Sequence, residues 1–190
     1  MRRTLGCWVV IAMLMAGCAR PETNQPPPSD QADVRFAQHM VPHLLQSTAI
    51  LNLGRDRITR PELARLATTM DRQGQAHLAQ LQEWLADRGL APYDPQQDPN
   101  RDKESDLARL ARIHGTNFDL AFIKIMTARH RAASKLAATE ARAGSVPQLR
   151  ELAQQLLTQH QDQIDKMTRW ARAWSKARAS RPPATASPHQ

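Results

Sequence analysis

The chain repeats itself at an offset of 86 residues. Asp33 through Trp84 fall on Asp119 through Trp170 without a gap, so that Phe36 meets Phe122, Met40 meets Met126, Pro61 meets Pro147, Leu66 meets Leu152, Gln75 meets Gln161 and Trp84 meets Trp170. An ungapped register that passes through two helical patterns and the loop between them means two copies of one α-hairpin. It also brings one Met and one His to comparable places in each copy, and function is sought there.

Within each copy the apolar positions recur at helical spacing. In the first helix Phe36, Met40, His43, Ser47, Ile50 and Leu51 share a face that ends near Gly54. Pro42 interrupts it and leaves the carbonyl of Gln38 without its usual N–H, so a kink or widened turn is expected there. The second helix opens on Thr59-Arg60-Pro61-Glu62, a capping box, and runs to Gly89. The second copy repeats this grammar. One helix runs from about Asn117 to Ala143 with Gly144 as its stop. Ser145-Val146-Pro147-Gln148 is a second capping box, and the helix after it carries Leu149, Leu152, Leu156, Ile164 and Met167 toward Trp170 and Trp174. The segment between the copies holds Pro92, Pro95 and Pro99, then a short helical pattern of Leu107, Leu110 and Ile113 ending at Gly115. No period-two strand appears. The fold class is all-α: a ferritin-like four-helix bundle built from two repeated α-hairpins with one long crossover, spanning 32–178 with repeats at 33–89 and 117–175.

The ends read differently. Arg2 and Arg3 precede a short apolar run, and Met15-Ala16-Gly17-Cys18 resembles a bacterial lipobox, so 1–17 is expected to be a signal peptide and Cys18 a lipidated N-terminus. Ala19 is not Asp, so nothing holds the product at an inner membrane. The expected location is the periplasm of a bacterial cell envelope, anchored to the outer rather than the inner membrane. Residues 18–31 are rich in Pro, Gln and Ser and read as a tether; 179–190 read as a disordered tail. Of the two cysteines, Cys7 lies in the leader, so the mature chain has no disulfide and no thiolate metal site. Loss of Arg2 and Arg3 lowers the formal charge from +8 to +6. A basic surface outside the cytoplasm suits an anionic envelope surface, and one Tyr with three Phe gives nucleic acid no stacking platform.

The openings Asp33-Val34-Arg35-Phe36-Ala37-Gln38-His39-Met40-Val41-Pro42-His43 and Asp119-Leu120-Ala121-Phe122-Ile123-Lys124-Ile125-Met126, with the closings Gln75 to Trp84 and Gln161 to Trp170, resemble the bacterial family called domain of unknown function 305. The resemblance covers nearly the whole mature domain. It implies an exported, ferritin-like and often lipid-anchored protein, some relatives of which bind copper through Met and His. The family usually places two adjacent histidines three and four residues after the Met. Here the first copy has His43-Leu44 and the second Arg129-His130.

Imidazole suits copper, and thioether sulfur selects Cu(I) over harder ions. Met40, His43, Met126 and His130 form the candidate quartet; His39, at i, i+4 from His43, and Met167 are candidate additions. Arg129 at a histidine position argues the other way, since a guanidinium repels a cation and demands its own partner. His77, His114 and His160 are expected at the surface. A di-iron centre is excluded because no Glu is followed by His at i+3, and there is no nucleophile elbow, H-E-x-x-H or phosphate loop. Trp170 and Trp174 stand among Arg169, Arg172, Lys176 and Arg178 and could face an anionic surface, with Trp170 read as core and Trp174 as the freer ring. The reading is a non-enzymatic, lipid-anchored envelope protein that weakly binds or buffers copper-type ions, Cu(I) above all. The alternative is an envelope interaction or structural module whose ancestral metal site has degenerated.

Overall fold

A computed structural model describes residues 31–94 and 105–180. The leader 1–17, Cys18, the tether, the crossover residues Pro95 and Pro99 and the end of the tail lie outside the described residues. Five helices follow in order: α1 (Gln31–Arg55), α2 (Pro61–Ala86), α3 (Asp106–Ala111), α4 (Thr116–Ala143) and α5 (Pro147–Ala179). α1 packs along α2 and α4 along α5; the two hairpins join chiefly through α1 and α4, with α3 lying across both. Among the described residues there is no strand, and no helix is long and apolar enough to cross a membrane.

The core confirms the repeat. Phe36 and Phe122 are buried at equivalent places, as are Met40 and Met126. Two apolar clusters fill the bundle. One gathers Phe36, Met40, Leu81, Leu85, Leu149 and Leu152; the other gathers Ile50, Leu63, Phe118, Phe122, Met126 and Met167. They occupy opposite ends of the bundle, and the polar middle layer lies between them.

The helix starts depart from expectation. Thr59 and Ser145 do not form capping boxes: the N-cap residues are Arg60 and Val146, neither with a side-chain cap bond, and Pro61 and Pro147 open the helices. The two hairpins brace each other's turns instead. Asp119, on α4, accepts from the Thr59 backbone N–H at 3.0 Å and from Thr59 Oγ1 at 2.7 Å. Asp33, on α1, accepts from the backbone N–H groups of Ser145 and Val146, each at 2.9 Å. A carboxylate at a helix start takes orphan donors and meets the positive end of the helix dipole, a stronger arrangement than a hydroxyl gives. The Asp of the repeated D-x-x-F pattern is therefore a structural brace and the Phe its core anchor.

Two further details follow from local chemistry. α1 runs unbroken across Pro42, and the Gln38 carbonyl that Pro42 leaves free accepts from the Tyr93 N–H at 3.0 Å, which fastens the start of the crossover to α1. Gly89 ends α2 with a positive φ of 62°, closed by Gly89 N–H to Ala86 and Leu90 N–H to Leu85. Gly144 ends α4 in extended conformation, so its reason is space: a Cβ there would strike the Glu140 carboxylate.

Candidate functional site

Between the two apolar clusters lies a cavity of about 30 Å³, enough for one water-sized occupant. Its wall is built from turns of four helices. α1 contributes His43, Leu44 and Ser47; α2 contributes Met70, Gln73 and His77; α4 and α5 contribute Met126, His130, His160 and Gln163. Each set follows one helical face, so the same periodicity that buries leucines above and below turns these polar groups inward.

Four imidazoles therefore line one small cavity. His130 and His160 stack with ring centroids 4.3 Å apart and planes at 25°. Gln163 Nε2 donates to Gln73 Oε1 at 2.9 Å and ties α5 to α2 across the layer. Nε2 of His130 and Nδ1 of His160 are buried and have no hydrogen-bond partner. Burial holds all four rings neutral. It lowers His43 to about 3, helped by the Arg129 charge and by His160. It lowers His160 to about 3, helped by His130 and His77. His130 is lowered to about 4 by burial, with the neighbouring Gln163 side chain opposing and His43 and Arg129 adding repulsion. His77 is lowered by burial as well. A neutral imidazole has a lone pair to offer, and at neutral pH these rings offer theirs.

Arg129 stands beside this layer rather than in it. Its guanidinium donates to the His43 carbonyl at 2.8 Å, to Ser47 Oγ at 3.0 Å and to Gln46 Oε1 at 3.4 Å, and pairs with Asp106 on α3 at 3.7 Å. The charge is thus spent on a carboxylate, a carbonyl and two polar side chains, and the cavity lining contains no guanidinium.

The sequence candidates separate in space. His43, Met126 and His130 line the cavity. Met40 is fully buried in one apolar cluster and Met167 in the other, and neither lines it. His39 stacks on Tyr93 at 4.4 Å, outside the layer. Two expectations are corrected: His77 and His160 are buried and line the cavity, whereas His114 is exposed as expected. The missed signal was phase. His77 follows Met70 by seven residues and His160 follows Leu156 by four, which keeps both on the buried face of their helices. The tryptophans are also corrected: Trp174 is the buried ring, under Arg60 at 4.1 Å, and Trp170 is only partly buried beside it.

The donor set suits a soft ion. Met70 and Met126 bring thioethers, the imidazoles are neutral, and two ring nitrogens lack partners. It does not suit a hard ion, and among the described residues no three His, Cys, Asp or Glu side chains stand together in ligand geometry. The lone pairs of the stacked His130 and His160 lie in nearly parallel planes, so both rings cannot serve one ion without turning.

The family called domain of unknown function (DUF305) matches residues 33–171. Among solved structures, a DUF305 fragment from Deinococcus radiodurans is similar at 21% identity and a TM-score of 0.67, over 76% of this chain and 98% of that one. CopM in its Cu(II)-bound form is similar at 22% identity and a TM-score of 0.67, over 75% and 97%. CopM in its Cu(I)-bound form gives 22% and 0.63, over 75% and 96%. No curated protein matches in sequence.

Proposed function

This chain belongs to the DUF305 family, and from that premise we propose that it binds a soft, copper-type ion in the mid-bundle cavity. The observation that carries the reading is the meeting of four neutral imidazoles and two thioethers in one mid-bundle layer, with two ring nitrogens unpartnered. CopM, whose structures hold Cu(I) and Cu(II), shares the fold, which supports the reading without locating a site in this chain. Met126, Met70 and, once a ring has turned out of the stack, His130 and His160 are the residues that would hold the ion. When bound, such an ion brings Lewis acidity and one-electron chemistry; the chain's own contribution is to exclude water and to keep the imidazoles deprotonated. The proposal is of a non-enzymatic binding or buffering protein, exported and lipid-anchored through Cys18. Loss of fatty-acid labelling in Cys18→Ser tests the anchor.

The test of the metal is a competition titration with a Cu(I) chelator. Wild type should bind, and Met126→Leu and His160→Gln should each weaken binding about tenfold or more while the helical signal is kept. Binding that is absent, or that none of these changes alters, would discard the site. Zn(II) should compete poorly, because thioethers favour the softer ion. One observation favours the second reading, an envelope interaction module with a degenerate site: Arg129 occupies a histidine position of the family pattern and is fully engaged with Asp106, Ser47 and the His43 carbonyl. Arg129→His separates the two. It should tighten Cu(I) binding if the site is live and leave an inert protein inert.

A further inference from the structure

The end of the bundle where α2 begins and α5 ends carries a second cavity, open and much larger, of about 490 Å³. Arg60, Thr116, Leu120, Trp174, Ala177 and Arg178 line it, and no acidic residue does. The repeat does not explain it. Positions equivalent to Arg60, Trp174 and Arg178 in the other copy are Val146, Arg88 and Pro92, so this end is chemically distinct from its pseudo-symmetric mate. A separate groove, between the end of α2 and the start of α5, is lined by Glu83, Asp87 and Glu151 instead.

Both guanidiniums are held in place and incompletely used. Arg60 lies over the Trp174 ring at 4.1 Å, and that ring is itself buried against Trp170 at 6.0 Å with planes 5° apart. Among the described residues its carboxylate neighbour is Asp119, at 4.0 Å, whose two oxygens are already taken by Thr59. Arg178 donates one N–H to Asn117 Oδ1 at 2.6 Å, which fixes the side chain against α4, and it remains exposed. Two guanidiniums and a threonine line one cavity, a set of charge and hydrogen-bond donors suited to an oxyanion. The cavity exceeds what a bare oxyanion fills, and Leu120 and Ala177 give it an apolar wall for a short carbon body.

We propose that this cavity binds an organic phosphate, with the phosphate between Arg60 and Arg178 and the organic part against Leu120 and Ala177. The phosphate belongs either to a soluble ester or to a lipid headgroup. The site is independent of the metal reading, since it lies at one end of the bundle and shares no residue with the mid-bundle layer.

The experiment is a titration of the full chain with glycerol phosphate and with inorganic phosphate, followed by tryptophan fluorescence and calorimetry, and a parallel titration with phosphatidylglycerol and phosphatidylcholine vesicles. Arg178→Gln, on an exposed side chain, should weaken binding about tenfold, the worth of one charge-assisted hydrogen bond. Ala177→Leu should weaken it comparably without changing charge, and Arg172→Gln, exposed on α5 but outside the cavity, should leave it within twofold. This pattern with soluble glycerol phosphate assigns a soluble ester. The same pattern only with phosphatidylglycerol vesicles assigns a headgroup. No saturable binding of any probe, or equal loss in Arg172→Gln and Arg178→Gln with Ala177→Leu unaffected, overturns the proposal and reduces this end to a diffuse basic surface.

Discussion

Acid should open this protein from the middle. His43 and His160 titrate at about 3 and His130 at about 4 in the folded chain, each lowered chiefly by burial from an ordinary value of 6.5. A group with a lowered folded value leaves the folded state neutral while the unfolded state takes up protons, so stability is lost as pH falls below 6.5. At pH 5 the unfolded chain gains about 2 kcal/mol for each of the three rings, or about 6 kcal/mol in all. Glu140 works in the opposite sense. Its carboxyl is pushed up from 4.5 to about 8 by burial first and then by the nearby Asp33 carboxylate, with Arg150 opposing. Between pH 7 and 5 the folded state therefore holds a proton that the unfolded state gives up, which returns about 2.5 kcal/mol. The net loss over that interval is about 3 kcal/mol, a large share of the 5–15 kcal/mol of an ordinary domain. Below pH 5 the Glu140 contribution levels off as unfolded carboxylates protonate, and the histidines act alone, so the limb steepens. The assay is urea denaturation followed by helical circular dichroism at pH 7, 6, 5 and 4.5. His160→Gln should reduce the loss between pH 7 and 5 by about 2 kcal/mol, because one proton-uptake site is gone. Stability that is flat from pH 7 to 5 in the wild type, or a slope unchanged in His160→Gln, would refute the claim that these rings are buried and neutral.

The same structure sets two other measurable effects. Asp119→Ala removes a buried carboxylate that accepts two hydrogen bonds from Thr59, and should cost about 3–5 kcal/mol in chemical denaturation; Thr59→Ala should cost less, since the backbone N–H still reaches Asp119. Glu140→Gln should lift stability most at pH 9 and little at pH 5, because only above about 8 does the folded state carry the buried Glu140 charge; an equal effect at both pH values would contradict the raised value.

How much of this was legible in the sequence depends on whether a residue's role is local. The helices, the buried pair Phe36 and Phe122, and the all-α bundle follow from helical spacing and an 86-residue register, both of which act within a few turns of chain. The caps were misread for a physical reason. Thr59 and Ser145 sit where a capping box would place them, but Pro61 and Pro147 fix the first turn and a carboxylate from the other hairpin arrives at both starts, 60 and 112 residues away in sequence. A stronger acceptor supplied by tertiary structure displaced the local one. The histidines failed differently. His77 and His160 have the phase of buried residues, and residue type was allowed to outweigh phase; an imidazole held neutral can occupy a leucine's place when its layer contains other polar groups.

The pseudo-symmetric frame makes its own departures informative. Where the two copies agree, as at Asp33 and Asp119, Phe36 and Phe122, or Met40 and Met126, the residues brace turns or fill the core. Where they disagree, the chemistry concentrates. His43 faces Arg129 in the alignment, Leu44 faces His130, Gly74 faces His160, His77 faces Gln163, and all but Arg129 line the cavity. The exchange also carries a spatial logic. Gly74 lies in the same layer as His160, and nothing stands within 4 Å of the Cβ that Gly74 lacks, so one copy leaves open space at the position where the other carries an imidazole. Gly54 and Glu140 are a second such exchange: a Cβ at Gly54 would press on Phe122 at 2.9 Å, whereas its counterpart Glu140 sends a whole carboxyl into the core beside Asp33, with Gly144 clearing the space. A duplicated hairpin maintained for packing alone has no need to differ at these positions. The differences place titratable groups of both copies in a layer between the two apolar clusters, and it is in that layer that the metal reading is to be tested.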